Sequence, residues 1–463
     1  MTLQQKVQGR LIGVVGMARS GMAAARLAMQ HGARLFVSDA APMEKVSDQA
    51  AELTAASIPY ECGGHTERLL ECDYLVLSPG VPLDVPILQS AREKGIPLFS
   101  ELEFASWFCE GQIVAVTGSN GKTTTTTLIG EILKADGHDV NVCGNIGRPF
   151  SEVVQYMAKE SIAVVEVSTF QLETIESFRP KVAVILNLTP DHLDRHGSFD
   201  IYRKLKHRIT ENQVAGDYLI LNRDDPETMA EVPQSAAGRL FFSLSHTEGV
   251  ASYVEDDALH VLLGHESTGI IDCRDILMPG RHNLQNAAAA TLAASLFDVH
   301  ASIISRVLES FPGVEHRLES LGRVAGVKFY NDSKATNVSS VCVALEAVEE
   351  PVYLICGGRD KGSSYDPIAE AGRNKIKGLI VIGEAREKIV AALGKAFEVQ
   401  LAATLEEAVE AAFEAARPGD AVLLSPGCAS FDMFENFEER GHVFKAAVQA
   451  LTRNSNTNET VSN

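Results

Sequence analysis

Val116-Thr117-Gly118-Ser119-Asn120-Gly121-Lys122-Thr123-Thr124-Thr125-Thr126-Thr127-Leu128 packs a glycine-rich turn, one lysine and five consecutive threonines into thirteen positions. Upstream, Ile113-Val114-Ala115-Val116 is a short apolar run of the kind that forms a buried strand. Downstream, Leu128-Ile129-Gly130-Glu131-Ile132-Leu133 carries apolar residues at helical spacing. A strand, a tight glycine loop and a helix N-terminus make an anion cradle, because backbone N–H groups and the helix dipole converge on the turn. Only two residues separate Gly118 from Gly121-Lys122-Thr123, against four in the common phosphate loop. Lys122 is placed to neutralise β/γ-phosphates, and the Thr123 hydroxyl to ligate Mg²⁺. The sequence offers no reason for Thr125, Thr126 and Thr127.

The 463 residues exceed one hydrophobic core and imply two to four domains. No run of 18 apolar residues is present, so no membrane span is expected, and Met1-Thr2-Leu3-Gln4-Gln5-Lys6 lacks a secretory h-region. The eight cysteines form no C-x-x-C pair, which suits reduced thiols in a cytoplasm. A net charge of -20 argues against a nucleic-acid partner, since phosphate backbones need a basic surface.

The pattern is α/β in three segments. In residues 1–107, Leu11-Ile12-Gly13-Val14-Val15 is a strand, followed by Gly16-Met17-Ala18-Arg19-Ser20-Gly21 and a small-residue helix from Met22 to Gln30. The next strand, Leu35-Phe36-Val37-Ser38, ends at Asp39, which completes a Rossmann-like βαβ pattern. Ala18 stands where that motif has its middle glycine, so close approach of a dinucleotide is disfavoured. A plain strand-to-helix turn fits as well as a nucleotide site. Tyr74-Leu75-Val76-Leu77 is a further strand, with Ser78-Pro79-Gly80 at its carboxyl end, where open α/β sheets bind ligands. Residues 108–312 hold the quoted loop and the apolar strands Ala163 to Val167 and Val182 to Leu186, and close on an alanine-rich helix from Asn283 to Leu296. Residues 313–463 read as a second Rossmann-like unit, with strands at 352–355, 379–382 and 421–424 and a pattern-free tail, expected to be disordered, over 454–463.

Two clusters flank the loop. Glu166 lies in an apolar strand, where a carboxylate is costly unless paired or bound to metal. The strand 182–186 runs into Asn187-Leu188-Thr189-Pro190-Asp191-His192-Leu193-Asp194-Arg195-His196, rich in oxygen and nitrogen donors. A loop histidine is by itself usually just exposed, but near a phosphate loop one of these can serve a second Mg²⁺. From Phe199 to Glu211 a helix places Tyr202, Lys206 and Ile209 on one face. Lys206 there reads as an anion hook, a modified lysine or part of a solvated basic face with Lys204 and Arg208.

Gly118 to Thr123, Glu166 to Glu173 and Asn187 to Asp194 resemble the corresponding motifs of the Mur ligase family of peptidoglycan synthesis. So do Pro279 to Asn286, His316 to Glu319 and Asn331 to Asn337, in the family's order along essentially the whole chain. Ser333-Lys334-Ala335-Thr336-Asn337 and Ser425 to Phe437 resemble the members that add D-glutamate, and the Asp-Asn-Pro-Arg motif of those that add diaminopimelate or lysine is absent. The resemblance implies three domains: a Rossmann-like one, a central P-loop sheet with helices and a C-terminal Rossmann-like one. It implies a cytoplasmic, ADP-forming ligase that acts as a monomer on ATP, UDP-N-acetylmuramoyl-L-alanine and D-glutamate with two Mg²⁺ ions.

By the same resemblance Lys122, Glu166, His192 and Lys206 are catalytic. Thr123, Glu166, His192 and a carbamylated Lys206 ligate metal. Gly118, Ser119, Asn120, Gly121, Lys122, Thr123, Thr124, Asn283, Asn286, Arg317 and Asp332 hold ATP. Gly16, Met17, Ala18, Arg19, Ser20, Asp39, Ser78, Gly80, Asn145, Ser168, Thr169, Gln171 and His192 hold the UDP substrate, although Gly16 to Ser20 departs from the family's Gly-Leu-Gly-x-Thr/Ser form. Lys334, Thr336, Lys361, Ser430 and Phe437 hold D-glutamate. Folylpolyglutamate synthase shares the ATP core, but its phosphate loop lies near the chain start. A nicotinamide-dependent oxidoreductase is disfavoured by Ala18 and the second phosphate loop, and a non-catalytic nucleotide switch leaves Glu166, His192 and Lys206 without purpose.

Overall fold

The computed structural model describes residues 3–461, apart from some side chains near its ends and that of Asp194. Its three sheets follow one another along the chain. The first contains β1 (Leu11–Val15), β2 (Arg34–Ser38), β3 (Tyr60–Glu61), β4 (Tyr74–Leu77) and β5 (Leu98–Ser100), all parallel in the order β3-β2-β1-β4-β5. The second contains β6 (Gln112–Thr117), β7 (Val140–Gly144), β8 (Ile162–Glu166), β9 (Val182–Ile185), β10 (Tyr218–Asn222), β11 (Gly238–Phe242), β12 (Ser252–Glu255), β13 (Ala258–Leu263) and β14 (Glu266–Asp272). Its order is β14-β13-β12-β11-β10-β9-β6-β8-β7. The third contains β15 (Glu319–Val324), β16 (Val327–Asn331), β17 (Val352–Gly357), β18 (Ile376–Ile382), β19 (Val399–Leu401) and β20 (Ala421–Leu424), in the order β15-β16-β20-β17-β18-β19.

The apolar runs become the central strands for a simple reason. β1, β4, β6, β8 and β9 are covered on both faces, so neither face needs polar residues. The antiparallel pair β12–β13 and the exposed end of β14 have no such signature, and the sequence did not reveal them. The chain divides into two compact units. One comprises Met1–Pro190, Ser198–Ile271 and Asn286–Val307 and holds the first two sheets; the other comprises Asp191–Gly197, Asp272–Gln285 and Leu308–Asn463 and holds the third. The last helix, Phe437–Val461, carries its backbone into the stretch read as a pattern-free tail; 462–463 lie outside the described residues. Among the described residues no helix is long and apolar enough to cross a membrane.

Within the first unit, the helix Glu101–Ser106 buries two carboxylates, Glu101 and Glu103. Glu103 accepts hydrogen bonds from the backbone N–H groups of Glu176, Ser177 and Phe178 and from Trp107 Nε1, so it fastens the loop after β8 to the first sheet's last helix. Glu101 receives the Ser151 N–H at 2.6 Å on one oxygen, while the other has no partner. Burial pushes its carboxyl up to about 7. Burial also raises the thiols of Cys72, Cys109 and Cys428 to about 11, and likewise pushes up those of Cys143 and Cys356. A carboxyl whose folded pKa exceeds its unfolded one favours folding while protonated, and that advantage is lost as pH rises from about 4.5 to about 7. Glu101→Gln, a neutral isostere, should therefore gain roughly 1–3 kcal/mol on wild type between pH 4.5 and 8. Denaturant unfolding of both proteins across that range measures it; parallel pH curves would contradict a protonated Glu101.

Candidate active site

The quoted loop connects β6 to the helix Lys122–Ala135, at the carboxyl end of a strand lying between β8 and β9. Gly121 adopts φ 83°, a left-handed conformation that side chains resist, and a Cβ there would sit 2.3 Å from Asn286 Oδ1. Thr125 Oγ1 is 3.2 Å from that same oxygen. The threonine run thus gains one explanation: Thr123 to Thr126 are buried, and Thr125 ties the loop's helix to the helix Arg281–Ser295. Lys122 Nζ donates to the carbonyls of Gly118 and Ser119, both at 2.8 Å.

Glu166 ends β8 almost fully buried. Its carboxylate accepts the Thr123 hydroxyl at 2.7 Å and Asn145 Nδ2 at 2.8 Å, so three predicted residues meet. Lys206 is also buried and does not form a solvated face. Its Nζ donates to Gly118 O at 2.8 Å and lies 4.6 Å from the centre of the Tyr202 ring. Lys122 and Lys206 therefore share one carbonyl acceptor. Tyr202, which the sequence placed on this face without a role, has its hydroxyl 2.9 Å from Ser119 Oγ and props the loop. Beyond β8, Ser168 and Gln171 form a capping box on the helix Thr169–Leu172, and Gln171 Nε2 is buried with no acceptor.

At the carboxyl ends of β1 and β4, where the chain order in the first sheet reverses, lies a cavity of about 480 Å³. Gly16, Ala18, Arg19, Ser20, Asp39, Ser78, Gly80 and Asn145 all line it, so eight residues predicted for one ligand converge. Met17 is instead buried in the core. Asp39 accepts the N–H groups of Met17 and Ala41, which fixes the turn after β1. The sequence missed His65, which also lines this cavity; no spacing signal links it to Gly16 or Asp39.

In the second unit His192 takes φ 51°, a strained value for a non-glycine residue and one that clusters at functional sites. Asp332 is buried, accepts the Leu318 N–H and the Ser425 hydroxyl, and has its carboxyl pushed up to about 7 by burial. Arg317 acts electrostatically on Asp332 and on His282, whose imidazole burial and Arg317 depress to about 4. Asn283, next to His282, donates to Pro279 O.

The residues predicted for the amino acid follow the adjacent strands β16, β20 and β17: Lys334 and Thr336, then Ser430, then Lys361. Lys361 Nζ is 3.4 Å from Thr336 Oγ1, Ser430 is buried, and Lys334 Nζ lies 4.8 Å over the Phe437 ring. Arg440, another residue missed in the sequence, holds these loops from behind. Its buried guanidinium donates to Ser333 Oγ at 3.0 Å, Ser333 O at 2.7 Å and Cys428 O at 3.2 Å.

The sequence matches family models for the MurD N-terminal domain over residues 11–86, the Mur ligase middle domain over 116–294 and the Mur ligase glutamate ligase domain over 316–428. It is 43% identical over 454 residues to the UDP-N-acetylmuramoylalanine--D-glutamate ligase of Thermoanaerobacter sp. (strain X514), covering 97% of this chain and 100% of that one. The ligase of the same name from Chlorobium phaeobacteroides is 44% identical over 456 residues, covering 95% and 98%. In fold the chain is similar to a UDP-N-acetylmuramate-alanine ligase from Thermotoga maritima, at TM-score 0.59 and 19% identity over 95% of this chain and 99% of that chain.

Gly121→Ala should place a methyl group against Asn286 and force a left-handed alanine, costing about 1–3 kcal/mol of unfolding free energy. Calorimetry of the variant beside Gly137→Ala, left-handed but with open space around it, isolates the contact. Equal losses in the two would contradict it.

Proposed function

The chain belongs to the Mur ligase family, and on that premise we propose that it joins D-glutamate to UDP-N-acetylmuramoyl-L-alanine with ATP hydrolysis to ADP, in the cytoplasm and as a single chain. The observation that carries this reading is the near-full-length likeness, at 43% identity, to relatives named for that ligase. Joining a carboxylate to an amine in water is unfavourable, because oxide is a poor leaving group. ATP converts the terminal carboxylate of the UDP substrate to an acyl phosphate. The amine of D-glutamate attacks that carbonyl, and the tetrahedral adduct collapses with release of phosphate.

The first sheet acts as a Rossmann-like UDP domain, the second as a P-loop domain for ATP and the third as a Rossmann-like amino-acid domain, with the bounds 1–107, 108–312 and 313–463. The cavity beyond β1 and β4 takes the UDP end. Ser168, Thr169 and Gln171 follow toward the reacting carboxyl, where the unsatisfied Gln171 Nε2 is a free donor for a substrate oxygen. Lys122 and the N–H groups of Gly118 to Thr124 hold the transferring phosphate, and spread its charge as it moves. Asn283, Asn286, Arg317 and Asp332 hold the rest of the nucleotide.

The Thr123 hydroxyl and Glu166 carboxylate, 2.7 Å apart, form a set of hard oxygens suited to Mg²⁺. They would hold one ion, and His192 with Lys206 as its carbamate would hold a second. Bound there, magnesium neutralises phosphate charge and draws electron density from the oxygens it touches. Carbamylation turns Lys206 from a cation into an anionic oxygen donor, and removes the repulsion between two ammonium groups on Gly118 O. In the amino-acid site, Lys361 and Ser430 take the side-chain carboxylate, with Thr336, Lys334 and Phe437 around them.

ADP release should require both the UDP substrate and D-glutamate. Lys122→Ala should lower kcat at least about 10²-fold without unfolding the protein, the scale of removing one transition-state donor. Lys206→Ala should be nearly inactive and partly rescued by acetate. ADP release that ignores D-glutamate would sink the reading, and a near-normal rate in Lys122→Ala would remove the phosphate-loop assignment.

The amino-acid site makes a separate prediction. Lys361 is exposed, and its ammonium with the Ser430 hydroxyl offers charge-assisted hydrogen bonds that only a side-chain carboxylate can take up, so D-glutamate should be used far better than D-norvaline. Lys361→Ala should raise the KM for D-glutamate and leave that for the UDP substrate nearly unchanged. Steady-state rates with D-glutamate, L-glutamate and D-norvaline decide it; equal use of D- and L-glutamate would overturn the assignment.

A further inference from the structure

His65 lines the cavity beyond β1 and β4, and its protonation is fixed by a relay behind it. The buried Ser38 hydroxyl lies 2.7 Å from Glu61 Oε1 and 2.7 Å from His65 Nδ1. Glu61 also accepts the Thr66 N–H at 2.8 Å and the Thr66 hydroxyl at 2.5 Å. Three donated hydrogen bonds fit an ionised carboxylate, and those from Thr66 and Ser38 hold its pKa below the usual range against the opposing effect of burial. An ionised carboxylate only accepts, so the single Ser38 proton goes to Glu61. The Ser38 oxygen must then accept, which puts the His65 proton on Nδ1. Burial lowers the imidazole pKa and keeps the ring neutral near pH 7. Nε2 is consequently a bare lone pair, and no partner for it is seen among the described residues.

We propose that His65 is a specificity-determining residue of the UDP pocket, whose Nε2 accepts a hydrogen bond from a neutral donor on the uridine. That donor is the imide N–H of the base or a ribose hydroxyl. The assignment rests on the ligase reading above and adds a residue to it. The relay excludes the opposite recognition: Nε2 cannot donate, so a base that offers only an acceptor at that point, as cytosine does at N3, is met lone pair to lone pair. Asp39, which lines the same cavity, already accepts the Met17 and Ala41 N–H groups, one on each oxygen.

The test compares UDP, N3-methyl-UDP and 2′,3′-dideoxy-UDP binding by calorimetry to wild type, His65→Phe and Ser38→Ala. Wild type should bind UDP at least about 10-fold more tightly than one of the two analogues, and which one identifies the donor. His65→Phe keeps a ring in place but loses the acceptor, so the preference should fall to within about twofold. Ser38→Ala keeps the imidazole and frees its tautomer, and should weaken the preference with no change in the KM for D-glutamate. Nitrogen-15 shifts of the wild-type imidazole should show the proton on Nδ1. A proton on Nε2, or analogue preferences unchanged in both variants while UDP still binds, overturns the role of His65. Failure of all three nucleotides to bind wild type overturns the ligase reading together with it, whereas normal ligase activity with unchanged preferences overturns His65 alone.

Discussion

A carboxylate at the end of a buried strand has to be compensated, and the site is organised around that requirement. Glu166 lies between β6 and β7, and it draws the Thr123 hydroxyl from the helix after β6 and the Asn145 amide from the loop after β7. Leaving such a group without partners costs several kcal/mol in a low-dielectric interior. The two flanking segments therefore cannot drift independently of β8. Asn145 in turn lines the cavity of the first sheet, so one buried charge fixes the start of the helix Lys122–Ala135 and the wall of the neighbouring pocket.

The same arrangement recurs in each sheet. Chemistry-bearing residues follow the carboxyl ends of parallel strands, and the support comes from side chains reaching in from behind. Tyr202 props Ser119, Glu103 fastens the 176–178 loop, and Arg440 binds the backbone beside Lys334 and Ser430. These supports are buried and hydrogen-bonded to the loops they hold, and so are several of the residues they carry, among them Glu166, Lys206 and Ser430. Removing a support leaves buried donors or acceptors unpaired, so its cost exceeds that of the bond it made.

Much of this was legible in the sequence because the local signals were strong. Continuous apolar runs gave the parallel strands, and a glutamate inside one of them stood out because its burial is expensive. The loop from Gly118 to Thr123 carried its own geometry in two glycines. What escaped lacked a local signal. β12 to β14 lie at a sheet edge where polar and apolar residues mix. Arg440 meets Ser333 across 107 residues, and Glu103 meets Phe178 across 75. His65 acquires meaning only through Ser38 and Glu61, which the pairing of β2 with β3 brings alongside. The tail from Asn454 has no apolar period, yet the backbone continues as helix to Val461.

The buried thiols bear on how this protein responds to electrophiles. Thiol alkylation proceeds through the thiolate, and a group raised to about 11 has roughly one molecule in three thousand ionised at pH 7.5. Cys428, two residues before Ser430, is buried and hydrogen-bonded to the Tyr365 hydroxyl, so its position beside Ser430 gives no foothold to a covalent warhead. Four thiols are partly exposed, those of Cys62, Cys109, Cys273 and Cys342; burial raises those of Cys109 and Cys342, so Cys62 and Cys273 are where maleimide dyes should attach first.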